Sequence, residues 1–287
     1  MHPAASAAAR RFAARSISEP VLSAQWLLVH ALGGDSLTCL DAANDPLDAA
    51  TQRRFDAACD RRLQHEPLQY ICGAWDWHCL AGLRCRAPVL CPRPETEFVV
   101  DAAVEHLART GGRRVLDLCC GSGAIGLAVL ACVHGSVCVS VDIDPAAVAL
   151  TKENAAVFGV EHRLEVQHGD ATALSLGASS PFDVVTVNPP YVPTAALAVT
   201  QPDVRLFESP TALDGGEDGR DMIDALLPTL RRWLQPDGIV VMEADETHVD
   251  SVAASVRQAP SWGLAVREPG VLRDCFGKPR FVVLEAT

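Results

Sequence analysis

No C-x-x-C pair occurs in this chain, although it carries eleven cysteines in 287 residues. That absence excludes a redox or zinc framework built on such spacing, and an odd number of thiols does not close into a set of disulfides. Free, mostly buried thiols in a reducing compartment are the expectation. Cys72, Cys79, Cys85 and Cys91, with His78 among them, are spaced too loosely for any common zinc pattern, so no metal is expected there.

Long apolar runs are also missing: charge, Gly or Pro interrupts each before the ~18 residues that a membrane span needs. No membrane association is expected. A basic excess is missing too. The net charge of −12 excludes a broad phosphate-contacting surface and, with no basic recognition module visible, argues against direct nucleic-acid binding. Internal repeats are absent, and low complexity is confined to the Ala-rich start. Acids, finally, are lacking before Glu19, while Arg10, Arg11 and Arg15 fall in that stretch, MHPAASAAARRFAARSIS. Such a start resembles an organelle transit peptide. Residues 1–18 are therefore expected to be a transit segment, with a mitochondrial destination and the cytoplasm as the alternative.

What is present begins with helical patterns. Pro20 to Leu32 closes on Gly33 and Gly34, a second helix is expected from Leu47 to Gln64, and Pro67 begins a short third. Residues 19–69 are thus expected to form a small helical domain. Aromatic and β-prone residues over 70–93 predict a hairpin-like connector. Residues 94–287 then alternate apolar strands with helices, beginning at PRPETEFVVDAAVEHL, where Pro94, Glu95 and Glu97 suit a first helical turn. The succession predicts an α/β fold with a mostly parallel sheet, helices on both faces, and two closing strands near Gly263–Arg267 and Arg280–Leu284.

Two stretches carry chemistry. GSGAIG, Gly121 to Gly126, joins a strand to a helix, so its glycines let backbone approach a ligand at the helix N-terminus. Asp142 ends the next strand about twenty residues on, where an acid accepts ribose hydroxyls. These features fit either nicotinamide or S-adenosylmethionine. Asp117, ahead of the loop, favours the latter, because an anion suits the cationic methionyl end; a cap on the loop's N–H groups is its other role. Asp170 can accept from an adenine amino group or serve only as a turn residue.

The second stretch is VVTVNPPYVP, residues 184–193. A β-branched run ends abruptly at Asn188, since Pro189 and Pro190 cannot join a ladder and restrict the residues before them. Ligands of open α/β sheets bind at that carboxyl end. The Asn188 side-chain carbonyl and the Pro189 main-chain carbonyl can each accept one hydrogen of a planar NH₂, and Tyr191 can stack on its face. Catalysis then comes from orientation and fixed dipoles. Glutamine amides, adenine N6 and guanine N2 all satisfy that geometry.

The sequence resembles the HemK/PrmC family, which methylates a glutamine side-chain amide in peptide-chain release factors. Four blocks carry the likeness: VLCPRPETE (89–97), LDLCCGSGAIG (116–126), DVVTVNPPYVP (183–193) and FESPTALDGGEDGRDMI (207–223). YICGAWDWHCL and DCFGKPRF look closest to the mitochondrial branch found in animals. The resemblance implies a Rossmann-like methyltransferase domain behind a helical domain, residues 19–69, that recognises substrate, with S-adenosylmethionine as cofactor and a release factor's Gly-Gly-Gln loop as substrate. By it, Gly121, Gly123, Asp142 and Asn188 match cofactor-contacting positions, and Asn188, Pro189, Pro190 and Tyr191 match the glutamine pocket. Arg93, Glu95 and Glu97 match a family motif but are read as helix-start residues. Cys119 stands where the family usually has glycine, which predicts weakened cofactor binding. Rival readings are a nucleic-acid amino-methyltransferase, a non-catalytic methyltransferase-fold scaffold, and a dehydrogenase supported only by GSGAIG.

Overall fold

The amino-terminal stretch folds because Ala5, Ala8, Ala9 and Phe12 recur at helical spacing and are all buried. The computed structural model describes residues 1–40, 46–176 and 181–287. It forms two units, Met1–Trp75 with Gln201–Glu208, and Asp76–Thr200 with Ser209–Thr287. In the first, α1 (Pro3–Ala14), α2 (Pro20–Leu32), α3 (Ala49–Leu63) and α4 (Leu68–Cys72) pack around Phe12, Leu27, Leu28, Phe55 and Ile71. Gly33 closes α2 at φ 74°, as its position predicts. Asp48 caps α3 by accepting from the Ala50 and Thr51 N–H groups.

Within the stretch expected to be a transit segment, Pro3–Ala14 form the first helix of the bundle, with its apolar stripe in the core and Arg10 and Arg11 exposed. Alanine-rich amphipathic helices serve both purposes, and composition alone does not separate them.

The second unit follows the β1 (Ala74–Trp77) and β2 (Leu80–Arg84) hairpin with α5 (Glu97–Thr110), β3 (Arg114–Leu118), α6 (Ala124–Cys132), β4 (Val137–Asp142) and α7 (Pro145–Val157). Next come β5 (Leu164–His168), β6 (Phe182–Val187), α8 (Thr194–Leu197) and α9 (Pro202–Phe207), the last of these within the helical unit. Part of the loop expected after β5, residues 177–180, lies outside the described residues. α10 (Asp221–Leu230), β7 (Leu234–Glu243), α11 (Val249–Gln258), β8 (Leu264–Arg273) and β9 (Pro279–Ala286) complete the chain.

The strands form one seven-stranded sheet in the order β5-β4-β3-β6-β7-β9-β8. β5 through β7 run parallel, and β9 enters antiparallel between β7 and β8. Apolar side chains cover both faces of this sheet, which is why its central strands read as unbroken runs rather than alternations. Among the described residues no helix is long and apolar enough to cross a membrane.

Candidate active site

β3 lies between β4 and β6, so the strand order reverses there, and in open α/β sheets such a reversal opens a crevice at the carboxyl ends. A cleft of about 820 Å³ occupies this position, lined by the glycine loop, Asp142, Asp170 and Asn188 through Tyr191.

The glycine loop is held from behind. Gly121 N–H donates to Asp142 Oδ2 at 2.8 Å and Asp144 N–H to Asp142 Oδ1 at 2.9 Å. Each carboxylate oxygen keeps lone-pair capacity for a ligand hydroxyl. Burial raises the pKa of Asp142. Gly123 adopts φ 80°, and a Cβ there would meet Thr151 Cγ2 at 2.7 Å, so both conformation and space require glycine. Asn154, fully buried on α7, accepts from Arg84 N–H at 2.9 Å and donates to the carbonyls of Ser122 at 2.9 Å and Arg84 at 3.2 Å. It ties the loop to β2. Cys119 has φ 59°, a left-handed conformation that glycine adopts freely and cysteine does not.

Asp117 is held in the capping arrangement that was its other expected role. It is fully buried and outside the cleft lining; Oδ2 accepts from Gly126 N–H at 3.2 Å and Oδ1 from the Thr186 hydroxyl at 2.8 Å. Burial pushes its carboxyl up to about 7. Asp117 therefore caps the first turn of α6. Asp170 lines the cleft, while its Oδ1 accepts from the Thr172 N–H and hydroxyl at 2.8 and 2.7 Å. The turn role and exposure to a ligand thus coexist.

At the end of β6, the Asn188 amide belongs to a chain that local sequence does not reveal. Asn188 Nδ2 lies 3.3 Å from Thr96 Oγ1, the Thr96 hydroxyl donates to Glu243 Oε2 at 2.7 Å, and the Tyr191 hydroxyl donates to Glu243 Oε1 at 2.9 Å. Thr96 has one hydroxyl hydrogen and gives it to Glu243, so toward Asn188 it can only accept. The NH₂ of Asn188 must face Thr96, which leaves Oδ1 as the acceptor on the amide's other side. Glu243 is 1% exposed, and burial raises its pKa although both hydroxyls pull it down. Burial, followed by the Glu243 charge, holds the Tyr191 phenol well above its usual range.

A glycine-rich loop fixes the backbone of this motif. Val192 N–H donates to Leu213 O at 2.8 Å and Gly215 N–H to Val192 O at 2.9 Å. A Cβ at Gly215 would meet Tyr191 Cα at 2.8 Å, so glycine permits the two segments to touch. Sequence reasoning singled out Asn188 and Tyr191 but not Thr96 and Glu243, which the structure brings to them. Glu243 carried one signal: an acid closing the apolar run IVVM at a strand's carboxyl end.

Residues 4–73 match the PrmC N-terminal domain and residues 98–216 the methyltransferase small domain. The human protein named MTRF1L release factor glutamine methyltransferase is 35% identical over 283 residues, 94% of this chain and 83% of its own. A release factor glutamine methyltransferase of Deinococcus radiodurans is 34% identical over 96% of this chain and 94% of its own. Among solved structures, a ribosomal protein L11 methylase from Lactobacillus delbrueckii subsp. bulgaricus superposes with a TM-score of 0.50 at 16% identity, covering 71% of this chain and 85% of that one, a likeness of fold alone. With that strand order, glycine loop and strand-end asparagine, and with these relatives, the chain belongs to the release factor glutamine methyltransferases, the HemK/PrmC family.

Proposed function

We propose that this enzyme transfers a methyl group from S-adenosylmethionine to the side-chain amide nitrogen of the Gly-Gly-Gln glutamine in a peptide-chain release factor. The observation that carries the reading is the fixed polarity of the Asn188 amide.

The cleft fits the cofactor on its own terms. Gly121 and Ser122 of the glycine loop line it while Gly123 sits behind them, the Asp142 carboxylate suits ribose hydroxyls, and Asp170 suits an adenine amino group. S-adenosylmethionine supplies an electrophilic methyl on a sulfonium that departs as a neutral thioether. The protein's task is orientation. Asn188 Oδ1 and the Pro189 carbonyl accept the two hydrogens of the glutamine NH₂ and turn its nitrogen toward the methyl, while Pro190 stiffens the segment and Tyr191 covers the amide plane. The proton becomes acidic once nitrogen carries the methyl group, so no strong base is needed beforehand.

In this reading the helical unit holds the body of the release factor, and no nucleic acid is bound directly. A mitochondrial location is part of the proposal, supported by the basic, acid-free α1. Because the apolar face of α1 is core, the signal is retained after import; a fluorescent fusion of the first twenty or so residues tests this.

Transfer of radiolabelled methyl to a release factor tests the activity, with the same factor carrying Ala in place of the loop glutamine and a structured RNA as comparisons. Label on the unaltered factor alone is expected. Label on the RNA, or undiminished label on the altered factor, would refute the assignment.

A further inference from the structure

The turn between β1 and β2 and the last residue of α6 bring together three side chains that methyl transfer does not use. His78, Cys79 and Cys132 each place a ligand atom so that all three lie within 4.8 Å of one another. The two sulfurs are 3.4 Å apart. A tetrahedral metal with bonds of about 2.3 Å to sulfur separates two thiolates by about 3.8 Å, so a shift of a few tenths of an ångström completes the geometry.

The imidazole is already prepared. His78 Nε2 lies 3.1 Å from Asp101 Oδ1, whereas Nδ1 is buried without a hydrogen-bond partner. With its ring proton given to a carboxylate, the histidine keeps a lone pair on Nδ1. Metal-bound histidines show this arrangement, in which the second nitrogen donates to a carboxylate that sets tautomer and ring direction. The backbone supports it as well: His78 sits at φ 50°, and its N–H donates to Glu97 Oε1 at 3.0 Å. Cys79 and Cys132 are both exposed, which leaves a route for a cation.

We propose that His78 Nδ1, Cys79 Sγ and Cys132 Sγ bind a divalent cation of the zinc class, with a fourth position open to water. Two sulfur donors and one imidazole disfavour magnesium and calcium, which take oxygen ligands. Binding displaces one proton from each thiol and fastens the hairpin turn to the end of α6, the helix that begins at the glycine loop. Local spacing concealed the site because Cys132 lies far along the chain from His78 and Cys79.

The full-length protein, purified under reductant and stripped of metal, is titrated with Zn²⁺ against a chromophoric chelator and, separately, with Co²⁺ as a spectroscopic probe. One equivalent is expected, with thiolate-to-cobalt charge-transfer absorption and a higher melting temperature. Cys79→Ser and Cys132→Ser should weaken binding by at least about 100-fold and Asp101→Asn by about tenfold, whereas Cys275→Ser, at an exposed thiol elsewhere, should leave it unchanged. Circular dichroism establishes that each variant is folded. Absence of the charge-transfer band, a full equivalent retained by the doubly substituted protein, or recovery of Cys79 and Cys132 as a disulfide that takes up no metal after reduction would overturn the assignment.

Discussion

The Thr96 hydroxyl donates to Glu243 at 2.7 Å, and that one proton sets which way the Asn188 amide points. Sheet register makes this possible: Val187 pairs with Met242, so the residues that follow them, Asn188 and Glu243, emerge level at the cleft end of the sheet. Glu243→Gln introduces an NH₂ where only an acceptor stood, so Thr96 or Tyr191 must turn its hydroxyl. We expect kcat to fall about 10- to 100-fold while cofactor affinity changes little, as measured by single-turnover transfer and calorimetry. An unchanged kcat would remove Glu243 from the account.

Asp117 makes stability depend on pH. In the unfolded chain its carboxyl titrates near 3.8, and burial in the fold pushes this up to about 7. The folded protein holds the proton across that interval, so the stability contributed by Asp117 is complete below about pH 4 and is lost as pH rises through about 7. Asp117→Asn cannot ionise and should not follow this fall. Urea titrations at about pH 5 and about pH 8 should show wild type losing stability relative to the variant at the higher pH. A constant difference between the two proteins would contradict the burial argument.

Cys119 holds a left-handed backbone conformation beside the cofactor cleft. Cys119→Gly relieves that strain, partly offset by a more flexible unfolded chain, so a net gain of up to about 1 kcal/mol is expected. The melting temperature should rise by about 2 °C, and S-adenosylmethionine should bind several-fold more tightly. Weaker binding by the glycine variant would mean that the cysteine side chain contributes to the cleft.

Asn154 has every polar group engaged in the interior. Asn154→Ala leaves the Arg84 N–H and two carbonyls without partners and should cost about 3 kcal/mol in denaturant unfolding, with looser cofactor binding. A loss under about 0.5 kcal/mol would indicate that water replaces the amide.

Stretches that act through neighbours in sequence were legible. GSGAIG and NPPY announced a loop and a strand end, and the helix expected after the loop spans Ala124–Cys132. What stayed hidden depends on pairing across the sheet. Thr96 stood within a motif read as a helix start, and its contact with Glu243, which the β6–β7 register sets level with Asn188, exists only in the folded chain. For Asp117 two roles stayed open, because sequence gives a strand end but not the direction its side chain faces. The insertion of β9 between β7 and β8 left no trace in local patterning. In α1, the stripe of Ala5, Ala8, Ala9 and Phe12 was visible beside the three arginines, and its burial was not.

The most direct measurement is the position of the methyl group. Purified protein is incubated with S-adenosylmethionine and an intact release factor, and added mass is mapped by peptide mass spectrometry, with Asn188→Ala in parallel. The account predicts one methyl on the side-chain nitrogen of the Gly-Gly-Gln glutamine from wild type and none from the variant. A methyl on any other residue, or equal transfer by Asn188→Ala, would contradict it.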